Sequence, residues 1–181
     1  GRPEVEVQYA LTSTMLTEIG QNTWQMNVWP IRSSEVHFDL KDAAAAQFAL
    51  LGESEQSGTV EGSAVLLQEK GAFAIKTDKA ELAKGALARG AAALSNGKVG
   101  VAVAVRDFAP NWPKGLRAEK GALALEMFPA GSTNNVWISD HCRKNHRMLL
   151  EFFAGPLAKG RLENLAKRAE APLRMLAEDP A

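Results

Sequence analysis

The chain has 181 residues, 46% of them hydrophobic and 23% charged, enough for one globular domain with a proper core and an appended helix. Lys plus Arg and Asp plus Glu both total 21, so no overall field draws the chain to nucleic acid or to an anionic membrane. A single cysteine, Cys142, excludes an internal disulfide and a cysteine-only metal site, and no apolar run approaches the length of a membrane span.

The first elements read as strands. Val5, Val7, Tyr9 and Leu11 alternate with Glu4, Glu6, Gln8 and Ala10, giving one wet face and one apolar face. Trp24, Met26 and Val28 make a second such run, which Pro30 is expected to end. Val36, Phe38 and Leu40 make a third, and its alternation puts His37 on the surface. Asp42 to Leu51 and Lys79 to Leu94 are rich in Ala, Leu and Lys, and local propensity alone would make both helical. Gly85 and Gly90 interrupt the second, however, and its alanines form no single apolar stripe. Gly58 to Gly62 reads as a turn-rich break, and short strands at Val65–Leu67 and Phe73–Ile75 flank Lys70-Gly71.

The most informative stretch follows. Val99, Val101, Val103 and Val105 share one face of a strand, with Gly100, Ala102 and Ala104 on the other. Arg106 ends that strand, and Pro110 and Pro113 then fix the backbone of a loop carrying Trp112 and Lys114. A second alternating run, Leu123, Leu125 and Met127, completes an expected β-hairpin with a stiff loop. Val136–Ile138 is a short apolar strand, and Met148, Leu150 and Phe152 alternate in a run apolar enough on both faces to be central. From Gly160 the period changes: Leu162, Leu165, Ala166, Ala169, Leu173 and Leu176 recur at helical spacing, with Pro172 kinking or restarting the helix.

These elements predict an all-β fold, an antiparallel β-sandwich with a C-terminal helical tail. The sandwich is expected over residues 1–158, and 159–181 as a helical tail or linker toward a following domain that is missing.

Lys144 and His146 sit two apart, so in an extended strand they point to the same side as Met148. Together they can move a proton, since histidine titrates near neutrality and a lysine beside another cation loses its proton more easily. The plain alternative is two solvated residues at a strand entry. His141-Cys142 with Asp140 and His146 matches no established zinc spacing, so no metal or other cofactor is expected. No acid pair, nucleophile elbow or phosphate-binding glycine loop stands out.

The segment Val103-Ala104-Val105-Arg106-Asp107-Phe108, followed by Asn111-Trp112-Pro113-Lys114, resembles the signature of exo-rhamnogalacturonan lyase-like (YetA-like) proteins. The resemblance extends back through Gly90 to Gly97 and forward to Lys144-Asn145-His146 and Ala171-Pro172-Leu173-Arg174. It covers about half the chain, and Asn145 and Arg147 depart from the family's Thr and Glu. The resemblance implies strands or loops rather than helices over both 42–51 and 79–94, and strands or loops are expected over 79–94. It also implies a three-part parent of which this is the central sandwich, inactive by itself.

Such lyases cleave by β-elimination at a uronic acid, which needs a cation for the carboxylate, a base for the adjacent C–H and an acid for the leaving oxygen. Arg106 or Lys114 suits the first role and Lys144 or His146 the second, with Trp112 as a stacking wall for sugar. Nothing in the sequence supplies the third role. The five residues are expected to converge on one edge of the sandwich. The expected partners are an acidic polysaccharide or oligosaccharide and the parent's neighbouring domains, with no nucleic acid and no membrane. A rival reading is a non-catalytic carbohydrate-binding or assembly module, with Trp112, Trp137 and Trp24 as a platform or simply as core. The compartment stays open, with periplasm or secretion slightly favoured over cytoplasm.

Overall fold

The computed structural model describes residues 3–12, 28–43, 45–132, 136–139 and 143–171. Its strands are β1 (Glu4–Thr12), β2 (Val28–Ile31), β3 (Ser34–Asp39), β4 (Gln47–Leu51), β5 (Glu55–Thr59), β6 (Ser63–Glu69) and β7 (Ala72–Thr77). They continue as β8 (Glu81–Gly85), β9 (Ala91–Ser95), β10 (Val99–Val105), β11 (Lys114–Glu119), β12 (Ala122–Phe128), β13 (Val136–Ser139) and β14 (Arg143–Ala154), before helix α1 (Arg161–Glu170). One six-stranded sheet runs β1-β14-β10-β9-β4-β5, and the other runs β3-β12-β11-β6-β7-β8. Strands β2 and β13 form a separate pair. The fold is therefore an antiparallel β-sandwich with a short C-terminal helix.

The period of two places the core. On β10 the valines Val101, Val103 and Val105 pack between the sheets with Leu94, Leu116, Leu123, Leu125 and Met148. The opposite face carries Ala102 and Ala104, which join Ala49, Leu51, Ala91 and Ala93 beneath Leu162, Leu165 and Ala166 of α1. The middle of the first sheet is thus buried on both faces, and the alanines supply a shallow outer surface on which a helix can lie. This explains why 42–51 and 79–94 look helical from composition. Alanine's helix propensity is overridden in β4 and β9 by packing between the sheets and the helix, while β8 is an edge strand of the second sheet paired with β7.

The structure corrects several expectations. Pro30 does not end the second strand: β2 runs through it to Ile31, and Pro30 lies opposite Trp137 in a two-stranded ribbon, where a missing donor is tolerated. Gly58 lies inside β5, opposite Phe48 of β4, so the break is confined to 60–62.

The expected hairpin across the proline loop is not formed. β10 belongs to one sheet and β12 to the other, so the loop from Arg106 to Pro113 crosses between sheets. The true hairpin is β11 with β12, turning at Lys120-Gly121 with Gly121 at φ 90°. Lys114 is consequently the first residue of β11 and not a loop residue.

The helical part of the tail is present as α1, which buries Leu162, Leu165 and Ala166 on the outer face of the first sheet. Trp24, Met26, Leu173 and Leu176, expected to extend these elements, lie outside the described residues.

Candidate functional site

Strand directions bring five ends together. β10 leaves, and β14 enters, at the same end of the first sheet, because the two are antiparallel with Val105 opposite Met148. In the second sheet β11 starts and β12 finishes there, with Gly115 opposite Glu126. β1 contributes Tyr9, directly opposite His146. All five residues singled out in the sequence lie at or just beyond this end, but they do not form one group.

Three of them point between the sheets. Alternation along β14 puts Lys144, His146 and Met148 on the inner face, and alternation along β11 does the same for Lys114, Leu116 and Ala118. The side chains meet around Phe128. The Lys114 ammonium nitrogen is 5.7 Å and that of Lys144 5.2 Å from the Phe128 ring centre. The His146 ring packs edge-on to Phe128 at 5.9 Å and stacks on Tyr9 at 6.1 Å. The Tyr9 hydroxyl is in turn hydrogen-bonded to Ser34 Oγ at 2.7 Å.

Burial is what makes this group unusual. Lys114 is 0% exposed and His146 2% exposed, whereas Lys144 is half-buried. The other buried polar side chains are well satisfied. Gln68 donates to the carbonyls of Glu69, Ala72 and Ala86 and accepts from the Ala88 amide. Ser95 is bonded to Val99 and Gly155, Glu126 to Arg117, and Glu151 to Arg161 and Arg168. By contrast, among the described residues Lys114 Nζ makes one long hydrogen bond, 3.3 Å to the Met127 carbonyl. Neither His146 ring nitrogen has a partner among the described residues. Buried polar groups left in this condition are rare and call for a functional account.

The electrostatic consequence follows. Burial, reinforced by the Lys144 charge, lowers the Lys114 pKa from 10.5 to about 7. Burial also lowers Lys144. His146 is pushed down to about 3 by burial and by the two lysines. Near neutral pH the histidine is therefore neutral, and Lys114 is divided between amine and ammonium. Among the described residues no carboxylate takes part in these shifts, so the cluster is cationic and without an internal counter-ion. It can accept an anion, and it holds an amine poised to take up a proton near pH 7.

Arg106 and Trp112 belong elsewhere. The Arg106 amide bonds to the Arg147 carbonyl, and continued alternation from Val105 puts its side chain on the outer face. There it lies a loose 3.9 Å from Asp107, whose own amide bonds to Glu170 at the end of α1. Asp107 adopts a positive φ of 52°, which takes the chain off the strand. Trp112 is half-buried on the crossing loop, with Lys70 Nζ 6.0 Å from its ring centre. Lys144 and His146 are not two solvated residues at a strand entry.

Tyr9, Ser34 and Phe128 were not singled out from the sequence. Tyr9 is visible as an inward strand residue, but its position over His146 depends on a pairing between strands far apart in the chain. Phe128 is hidden by a bulge between Glu126 and Phe128, after which both Met127 and Phe128 are buried. His141 and Cys142 lie outside the described residues, as does Trp24, and among the described residues no group of three or more His, Cys, Asp or Glu could hold a metal. No protein-family model matches the chain, and no curated protein matches it either.

Proposed function

We propose that this sandwich recognises the carboxylate of an acidic sugar and is the central domain of a rhamnogalacturonan-type polysaccharide lyase-like protein, which cleaves by β-elimination at a uronic acid. The observation that carries the reading is the convergence of Lys114, Lys144 and His146 around Phe128 with no carboxylate of their own among the described residues. The resemblance around Val103–Lys114 and Lys144–His146 supports the choice of anion, because the signature contributes Lys114 to the cluster and the second segment contributes Lys144 and His146.

The proposal distributes the roles differently from the expectation drawn from the sequence. Lys144, half-buried and the more accessible lysine, suits the cation that neutralises the carboxylate. Lys114 suits the base, because an amine with a pKa of about 7 is matched to proton abstraction at neutral pH. In the elimination, Lys114 takes the proton next to the carboxylate, that C–H pair forms the double bond, and the glycosidic C–O bond breaks. Tyr9, bonded to Ser34 and stacked on His146, is the hydroxyl we assign to protonating the leaving oxygen. Arg106 on the outer face is not part of this assignment.

The second reading, binding without cleavage, is favoured by one fact: Lys114 and His146 are 0% and 2% exposed, which keeps a polymer backbone away from both. Titration of the chain with oligogalacturonides and with neutral galactan, followed by calorimetry and ultraviolet absorbance, distinguishes the readings. The proposal expects binding of the acidic oligomer only, weakened at least about tenfold in Lys144→Gln. Absorbance from a new conjugated double bond selects cleavage, and binding without it selects the second reading. Equal affinity for galactan, or none for either sugar, overturns both.

A further inference from the structure

We propose that Lys114 is also a carbonyl-capturing amine, which condenses with a small keto- or aldehyde-acid whose carboxylate is held by Lys144. The inference uses the same residues as the sugar reading but does not depend on it. A lysine becomes a nucleophile when it is desolvated in an apolar pocket or set beside another cation, and Lys114 meets both conditions. Leu116, Met127 and Phe128 surround it in the core, and Lys144 is close enough to act on its charge. On the β14 side it faces His146, which burial and the two lysines keep neutral at neutral pH, and Tyr9 of β1 stacks on that ring. Glu126 of β12 and Glu35 of β3 are both bonded to Arg117, on the opposite face of the second sheet.

The chemistry balances without any outside oxidant. The neutral amine nitrogen attacks the carbonyl carbon, a C–N bond forms and the carbonyl oxygen takes up a proton. The C–O bond then breaks, water leaves, and a protonated imine remains. His146, neutral and with no other partner among the described residues, can relay the proton from nitrogen to the departing oxygen. Burial selects the size class: with Lys114 wholly enclosed and Lys144 half-buried, the proposal requires a molecule of only a few carbons. Charge selects the acid. A buried iminium beside Lys144 is costly unless the captured molecule brings its own carboxylate. The exposed Lys79 provides the contrast, since its hydrogen bond with Glu61 raises its pKa and keeps it an ammonium.

The test treats the whole chain at pH 7 with pyruvate and cyanoborohydride, then maps adducts by peptide mass spectrometry. The expected result is one reductively attached pyruvate concentrated on Lys114, with at least about tenfold less adduct from acetone, which lacks the carboxylate. Lys144→Gln should raise the pyruvate concentration required, and the wild-type map does not depend on any variant folding. Adducts spread over surface lysines with Lys114 unmodified, or equal yields from acetone and pyruvate, overturn the proposal. A chain that binds no uronate yet traps pyruvate keeps this inference and loses the sugar reading; the reverse result does the opposite.

Discussion

Replacing Lys114 with methionine is expected to make the protein more stable at pH 6 and to remove part of its dependence on pH. In the unfolded chain this lysine holds its proton up to its ordinary 10.5, whereas in the fold it releases it at about 7. Between those values the unfolded state binds more protons, so stability rises with pH, by at most about 1.4 kcal/mol per unit for this group. Below pH 7 both states are protonated, and the full cost of a buried ammonium is present. Lys144, also lowered by burial, acts in the same direction.

His146 adds a lower limb. It is protonated below 6.5 when unfolded but only below about 3 when folded, so stability rises through that interval too. Methionine matches the length of the lysine stem and removes the charge, for a gain on the order of 2 kcal/mol at pH 6. In a chain of this size that corresponds to roughly 4–8 °C in melting temperature. Melting curves from pH 5 to 9 check it: the variant should lie above wild type at low pH and converge with it as pH rises. A variant less stable at every pH, with the slope unchanged, would show that the amine belongs to the architecture.

Removing the chain beyond Gly160 is expected to have the opposite and larger effect. Leu162 and Leu165 are 1% and 0% exposed, and each contributes roughly 1.5–3 kcal/mol by burial. Their loss also uncovers the alanine surface formed by Ala91, Ala93, Ala102 and Ala104. Arg161 and Arg168 leave with the helix, and Glu151, only 9% exposed, loses both of its ion-pair partners. An unpaired buried carboxylate costs a further few kcal/mol, about 3–5 for a fully buried pair. The sum approaches the whole stability of an ordinary domain, about 5–15 kcal/mol. Denaturant unfolding of the truncated chain should show little or no cooperative transition, and Leu165→Ala should cost about 2–5 kcal/mol. A truncated chain that unfolds with an unchanged midpoint would mean that α1 is only an appendage, as its sequence first suggests.

The class of fold is legible from alternation. Val99 to Val105, Val36 to Leu40 and Val5 to Leu11 each repeat with period two, and each is a strand. What alternation does not encode is the partner. The proline-rich loop suggests a hairpin between neighbours in sequence, yet it joins two sheets, a choice set by the whole topology rather than by residues 106–113. Lys114 looked like a loop residue for the same reason. Once it starts β11, one residue of phase decides whether its cation faces water or the core, and Gly115 and Arg117 take the outer positions.

The alanine stretches are a different case: over 79–94 the expected strands and loops are found, as β8 and the start of β9, against what composition alone suggests. Their composition favours a helix, whereas the small side chains serve to let α1 approach a strand surface. Of the candidate site, the pair Lys144 and His146 was legible as a same-side pair on a strand. That His146 lies under Tyr9 required a pairing between residues more than a hundred positions apart, and that both face Lys114 depends on where β14 sits in the first sheet.

The most direct measurement is the ionisation of Lys114 itself, followed by nuclear magnetic resonance of lysine labelled at Cε, first alone and then with a uronate ligand. The account predicts one lysine resonance titrating near 7 in the free protein, absent from Lys114→Met, and moving upward when the carboxylate binds beside it. A Lys114 resonance that titrates near 10.5, or one that sits near 7 and does not respond to the ligand, contradicts the claim that this buried amine is kept for an anion.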